Sequence, residues 1–493
     1  MNSSRQNLVN QDESVDSVDS ENVQPAPIPY PKRVFFIIGN EFCERFNYFG
    51  MKAILVLYIT EKLNKDDNFA TVQFHAFSML VYFANVFGGI LCDNWLGKFK
   101  TIIYLSMVYC IGSVVMAVGA VPHINVSAEN LMYIGLFLIA FGSGGIKPCV
   151  SAFAGDQFKL PEQAIYLAQF FSMFYVSINA GSFISITVTP VLRAKVHCFG
   201  DNDCYSLAFG LPALLMVIAI GLFLFGKKWY TINSPCGMSM LQVIKCIMNG
   251  IITKRRESAT NPREHYLDYS VKKFGQQLVN DTKSLLNLIV LFLPLSMFWA
   301  LNDQQGSRWV IQANNMNGDL GFYTILPDQM QSSGPILLLL FAPLFDYCFY
   351  PLLGKIGLHR PLQKISMSGF LAAIAILLSA FVEWKIQVEP KKSLCILWQI
   401  PQIAVMNMAE VMFYVTGLAF AYEQAPKDMK SMVQSFWLLT IGLGNAIIVI
   451  VTELNMFTSQ VNEFIFFACS MVVAIIIFII LAHKYKPITT LKE

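Results

Sequence analysis

The chain has 493 residues, 55% of them hydrophobic and only 14% charged, with a mean hydropathy of +0.51 and a formal net charge of +3. A soluble protein carries roughly 25% charged residues, so composition excludes the soluble globular class and points to an integral membrane protein in a lipid bilayer. The near-neutral balance gives no reason to expect a nucleic-acid partner.

Residues 1–33 are polar, acidic and rich in Ser, Asn and Pro, with no signal-peptide pattern, and read as a disordered cytosolic tail. Apolar stretches of spanning length follow near 34–60, 73–95, 101–121, 131–153, 168–190, 206–228, 285–302, 332–354, 364–384, 394–422, 431–452 and 462–482. A polar segment divides these twelve equally. The expected fold is therefore an all-α membrane protein, with twelve transmembrane helices in two six-helix bundles, at 34–228 and 284–484. Residues 229–283 form a cytosolic linker and 485–493 a cytosolic C-terminus. Two bundles of six with a central linker is the plan of the major facilitator superfamily, and such a chain is expected to work as a monomer.

Orientation follows from Lys and Arg. The linker carries Lys227, Lys228, Lys245, Lys254, Arg255, Arg256, Arg263, Lys272, Lys273 and Lys283, and basic residues also follow spans two, eight and ten. The connections at 121–130 and 453–463 have none. Both termini are thus expected inside, in a multi-pass arrangement. The sequon at Asn125 falls in an external loop and is a glycosylation candidate, while those at Asn2 and Asn280 face the cytosol. The eleven Cys are mostly scattered through apolar segments without metal-ligand spacing. Cys198 and Cys204 instead share a polar loop and could form a disulfide if it is external.

Within span one, Glu41, Glu44, Arg45 and Tyr48 fall at i, i+3, i+4 and i+7, on one helix face. Charges in a span are costly and survive by pairing or by facing a water-filled interior; a purely structural ion pair between helices is the plain alternative. In span two His75 lies seven residues before Tyr82, again on one face, and can titrate near neutral pH. Gly88, Gly89 and Gly97 with Asp93 and Lys98 make the turn between spans two and three, with an acid and basic residues positioned to pair as the bundle rocks, a gating feature or an ordinary loop. Span four holds Gly142-Ser-Gly-Gly-Ile-Lys147-Pro148; the glycines permit close packing, and Lys147 needs an anion, with Glu41 and Glu44 the natural partners. Tyr175 and Asn179 form a stripe in span five. Span seven ends in a polar run from Trp299 through Asp303 to Arg308, fit for an external vestibule. Asp346 lies in span eight, Glu410 alone in span ten, and Ser435 and Trp437 in span eleven. Cations in one half and a carboxylate in the other would make a bipolar cavity suited to a zwitterion. No nucleophile–base arrangement, metal-ligand set or cofactor loop is present, so neither an enzyme nor a metal or organic cofactor is expected.

These residues resemble the proton-coupled oligopeptide transporter family, most closely its animal branch. The resemblance is carried by Glu41-Phe-Cys-Glu-Arg-Phe-Asn-Tyr-Phe-Gly50, by Gly142–Phe158, by Phe174–Ser182, by Trp299–Trp309 and by Gln399–Gln402. It implies symport of di- and tripeptides with protons as the coupling ion. Glu41, Glu44, His75 and Lys147 would then handle protons. Arg45, Tyr48, Tyr82, Lys147, Tyr175, Asn179, Trp299, Glu410, Ser435 and Trp437 would bind substrate. Asp93, Asp303, Arg308 and Asp346 would gate. The plasma membrane is the expected site, the lysosomal membrane the alternative. Asn287 stands where animal relatives often carry a basic partner for Asp346, leaving Lys283 as a substitute. Gly334 and Ala419 replace an asparagine and an acidic residue, and 385–393 is a short loop where mammalian members carry a large domain. Those departures keep open a non-transporting peptide sensor, or transport of nitrate or histidine-like solutes.

Overall fold

The computed structural model describes residues 29–122, 126–159, 162–233, 240–257, 262–355, 357, 360–426 and 429–485. Most of the N-terminal tail, and the sequon residue Asn125, lie outside these described residues. Nine helical runs among the described residues are long and apolar enough to cross a membrane, and one of them, Asp67–Gly119, contains spans two and three. Span one, Val34–Leu57, is set apart by its charged face, and span eight is Ser333–Leu344 continued through a π turn at Phe345–Phe349 to Lys355. The total is twelve spans. Among the described residues, extended pairing is limited to three isolated bridges.

Local chemistry sets several helix ends. The Asp66 carboxylate accepts from the Phe69 amide at the start of span two, and Ser127 accepts from Asn130 at the start of span four, each satisfying a donor that the first turn leaves free. Span seven departs from the sequence expectation. It runs in successive helical segments from Gln276 to Asn314, so Asp303–Trp309 lies within the helical run and not beyond its end. Arg308 and Trp309 are buried there.

Each half buries its own apolar cluster. In the first, Tyr58, Phe74, Tyr109, Phe153 and Phe209 are fully buried; in the second, Phe298 stacks on Phe413 at 3.8 Å and Trp437 packs on Phe413 at 5.4 Å. The glycines of span four act as the sequence suggested. A Cβ at Gly144 would lie 2.1 Å from the Val81 carbonyl oxygen, and one at Gly88 would lie 2.2 Å from that of Gly145. Spans two and four therefore meet backbone to backbone, which fixes the wall that carries His75, Tyr82 and Lys147.

Between the halves, span two lies along span eleven, where Gly442 faces Tyr82. The polar contacts between halves among the described residues lie in the distal parts of the spans, at the end where span one finishes. Arg193 in span five holds Asp328 with two bonds of 3.0 and 3.1 Å. Asn68 accepts from Arg308 at 2.9 Å and donates to Asn455 at 3.1 Å. Gln329 donates to the Thr187 carbonyl, and Gln331 to that of Ala53. The Cys198–Cys204 disulfide is formed at the same end, between spans five and six.

Candidate functional site

Span one brings its three charges into one contact. Arg45 Nε donates to Glu41 Oε1 at 2.8 Å, and Glu44 Oε2 approaches the same nitrogen at 2.6 Å as an ion contact without hydrogen-bond alignment. Ser143 of span four donates to Glu44 Oε1 at 3.1 Å. Both glutamates are buried. One guanidinium thus serves two carboxyl groups of its own helix.

Lys147 does not complete it in the expected way. Among the described residues no carboxylate lies within ion-pair distance of its ammonium, which instead sits 4.5 Å from the Tyr48 ring and 4.6 Å from the Tyr82 ring. Two aromatic faces stabilise a desolvated cation by about 2 kcal/mol or more, comparable to the ~3 kcal/mol cost of a charge in a span. The lysine can therefore stand apart from the glutamates at little net cost. Among the described residues the buried Tyr48 hydroxyl has no hydrogen-bond partner.

The sequence reading passed over Lys52. It lies one turn beyond Tyr48 on the same face, 4.6 Å over the Phe74 ring and within electrostatic range of Asp303. Extending the i, i+3, i+4 pattern from Arg45 by one heptad would have found it.

His75 is fully buried. Its Nδ1 is 2.7 Å from Asn445 Oδ1 and its Nε2 is 2.7 Å from Ser307 Oγ, and the Asn445 amide in turn donates to Asp303. The histidine therefore joins span two to spans seven and eleven of the other half. Arg308 holds the buried Glu463 of span twelve at 2.8 and 3.1 Å. Nothing in a single sequence marks Asn445, Arg193, Asp328 or Glu463 as partners; each pair is separated by more than a hundred residues.

Glu410 faces this assembly from span ten. Among the described residues no Lys or Arg forms an ion pair with it; Asn302 donates to it. It acts electrostatically on Tyr175 of the first half and on Tyr414, which also feels Arg45. Asn179 donates to the Tyr175 carbonyl at 2.9 Å along its own helix, and Tyr175 is 44% exposed. Ser435 is half-buried in span eleven. Trp299 and Trp437 are 4% and 0% exposed, and both lie within the aromatic cluster of the second half. In this conformation they pack the helices behind Glu410.

Near the proximal ends, Lys98 binds Asp156 at the end of span four at 2.6 Å, and Lys283 binds Asp268 of the linker. Asp346 lies in the π turn of span eight, and its side chain is outside the described residues.

Fold and site together define a helical membrane protein of two six-span halves, closed on each other distally, with uncrossed opposite charges at mid-depth. A family profile described as PTR2, POT family, matches residues 99–467. Peptide transporter family 1 of Drosophila melanogaster is 36% identical, over 95% of this chain and 89% of that protein. Human solute carrier family 15 member 2 is 34% identical, over 94% and 90%. Both alignments run over 663 positions, more than this chain has, so those relatives contain a long stretch that it lacks. Among solved structures, the POT family transporter PepTSo superposes with a TM-score of 0.81 at 29% identity, covering 93% of this chain and 99% of that one. A proton dependent oligopeptide family transporter gives 0.71 at 29%, covering 90% and 100%. The chain belongs to the POT family.

Proposed function

We propose that this protein carries di- and tripeptides across a membrane together with protons, by alternating access. The observation that carries the reading is the placement of unlike charges on opposite halves. Arg45 and Lys147 stand on one side, Glu410 on the other, and none is neutralised across the gap. A peptide brings a carboxylate for the first side and an ammonium for the second, with Tyr48, Tyr82, Tyr175 and Asn179 between them. Each ionic end exchanges water for a fixed partner.

Proton coupling follows from the shared guanidinium. Protonating Glu41 or Glu44 removes one of the two anions holding Arg45, which becomes free to take the peptide carboxylate. Protonating His75 gives it two donors where it now bridges Asn445 Oδ1 and Ser307 Oγ, changing the distal seam. Loss of the proton returns Arg45 to its glutamates and releases the peptide. Protons are thus the coupling ion, with no other cofactor in the cycle. The basic linker supports a cytosolic position for the proximal end and both termini, so the form described here is closed toward the outside. A plasma-membrane location suits uptake driven by the membrane potential, which contributes about 2.3 kcal/mol per charge per 100 mV. One polypeptide contains both halves of the site, consistent with a working monomer.

The test is accumulation of a labelled dipeptide in proteoliposomes with an imposed inward proton gradient. Accumulation is expected in the native chain. In Glu44→Gln it should fall by about 5- to 150-fold, the range of an ordinary coupling free energy, while peptide exchange without a gradient persists. Accumulation indifferent to the gradient and to this substitution rejects proton coupling; binding without accumulation marks a receptor.

A further inference from the structure

A second charged cavity lies away from the peptide site, at the proximal ends of spans three and six. It has a volume of about 460 Å³ and is lined by Leu96, Gly97, Phe99, Lys100, Ile103, Tyr104, Lys227, Ile232 and Asn233. Among the described residues, the two lysines are the charged side chains that line it, and no acidic one does. Neither has an ion-pair partner among the described residues, whereas their neighbour Lys98 is taken by Asp156. Lys227 stands 5.9 Å from the Phe99 ring.

The helix beginning here makes the arrangement costly as it stands. Span three starts at Gly97 with no acidic residue in its first turn, and instead places Lys98 and Lys100 there. A helix N-terminus carries partial positive charge and favours anions. Lys98 is offset by Asp156, which leaves Lys100 in the first turn and Lys227 across the cavity, both exposed, as like charges beside the helix end. An anion seated between Lys100 and Lys227 relieves this.

We propose that this cavity binds the headgroup of an anionic phospholipid. The apolar walls select a lipid over a soluble anion. Ile103 and Tyr104 continue from Lys100 along span three, and Ile232 stands beyond the end of span six, with Tyr104 and Ile232 each about half exposed at 49% and 50%. A phosphate at the lysines thus places its acyl chains against the outside of the bundle. The orientation given above puts the site in the cytoplasmic leaflet, where anionic lipids are concentrated. The bound lipid would bridge spans three and six.

The experiment uses the full chain in nanodiscs of phosphatidylcholine alone or with phosphatidylserine, read by native mass spectrometry of retained lipid and by thermal unfolding. Native protein should retain phosphatidylserine and unfold at higher temperature in its presence. Lys100→Gln/Lys227→Gln should weaken retention on the order of tenfold or more, with Lys227→Gln alone intermediate if the double variant is poorly expressed. The control Lys254→Gln/Arg255→Gln, in the linker, should retain the lipid normally. Equal retention in the lysine variants, equal loss in the linker control, or equal stabilisation by inorganic phosphate in phosphatidylcholine discs would each overturn the assignment. Because the readout is lipid retention, failure of peptide transport leaves it standing, and the converse.

Discussion

The distal seam and the mid-depth charge cluster use the same residue types to opposite ends. At the seam, polar groups meet across the two halves: Arg193 with Asp328, Arg308 (which also holds Glu463 of its own half) with Asn68, and His75 with Asn445 and Ser307. At mid-depth, charges are satisfied within one half or by aromatic rings, and those of the two halves do not meet. Arg45 keeps to Glu41 and Glu44 of its own helix, Lys147 rests on Tyr48 and Tyr82, and Glu410 has only Asn302. In the proposed cycle, pairing across the gap is what closes a gate, and withholding that pairing is what keeps a site available for a ligand with its own two charges.

Substitutions can separate these two uses. The largest effect is expected at Arg45→Gln, which leaves two buried carboxylates facing one another. Removing one partner of a buried ionic group costs about 3–5 kcal/mol. Dipeptide affinity and thermal stability should both fall, and a variant with unchanged peptide binding would remove Arg45 from the site. Next is Asp328→Asn, where Arg193 retains Glu61 at 3.4 Å. Here the loss should appear as opening of the seam rather than as weaker binding. A cysteine placed at Ala53, beneath Gln331, should react faster with an impermeant reagent from the distal side; an unchanged rate would mean that the seam does not depend on this pair.

Gly144→Ala tests the wall behind the site rather than its charges. With 2.1 Å between the new Cβ and the Val81 carbonyl, spans two and four must part, at a cost of about 1–3 kcal/mol. The unfolding temperature should drop by several degrees with the pH profile of transport retained. The smallest effect is expected in the linker. The hydrogen bond from Lys283 holds the Asp268 carboxyl below the usual carboxylate range. The stability this contact contributes is therefore present at neutral pH and lost as pH falls through that depressed value. Asp268→Asn should alter amide exchange of 262–275 at neutral pH and have no further effect in acid, with transport unaffected.

The span-one face, the glycine contact of span four and the Cys198–Cys204 bond were legible because each depends on short-range spacing or on a polar residue standing out in an apolar run. Lys52 was legible by the same rule and was missed only because the face was followed no further than Tyr48. The family signatures likewise rest on contiguous residues, and they carried the fold class and the family together. The misplaced partner has a different source: Lys147 was assigned to Glu41 and Glu44 by charge sign, whereas its ammonium rests on Tyr48 and Tyr82.

Sequence alone determined how many spans there are, their division into two halves and which of them carry charge, because hydropathy and helical period are local properties of the chain. Only the tertiary structure decided which charge meets which. Such pairing depends on distances of a few ångströms between helices more than a hundred residues apart, and electrostatic energy inside a bilayer changes steeply over that range. That is why Arg45 serves two glutamates, Lys147 turns to two tyrosines, and His75 reaches across to Asn445, none of which a linear pattern encodes.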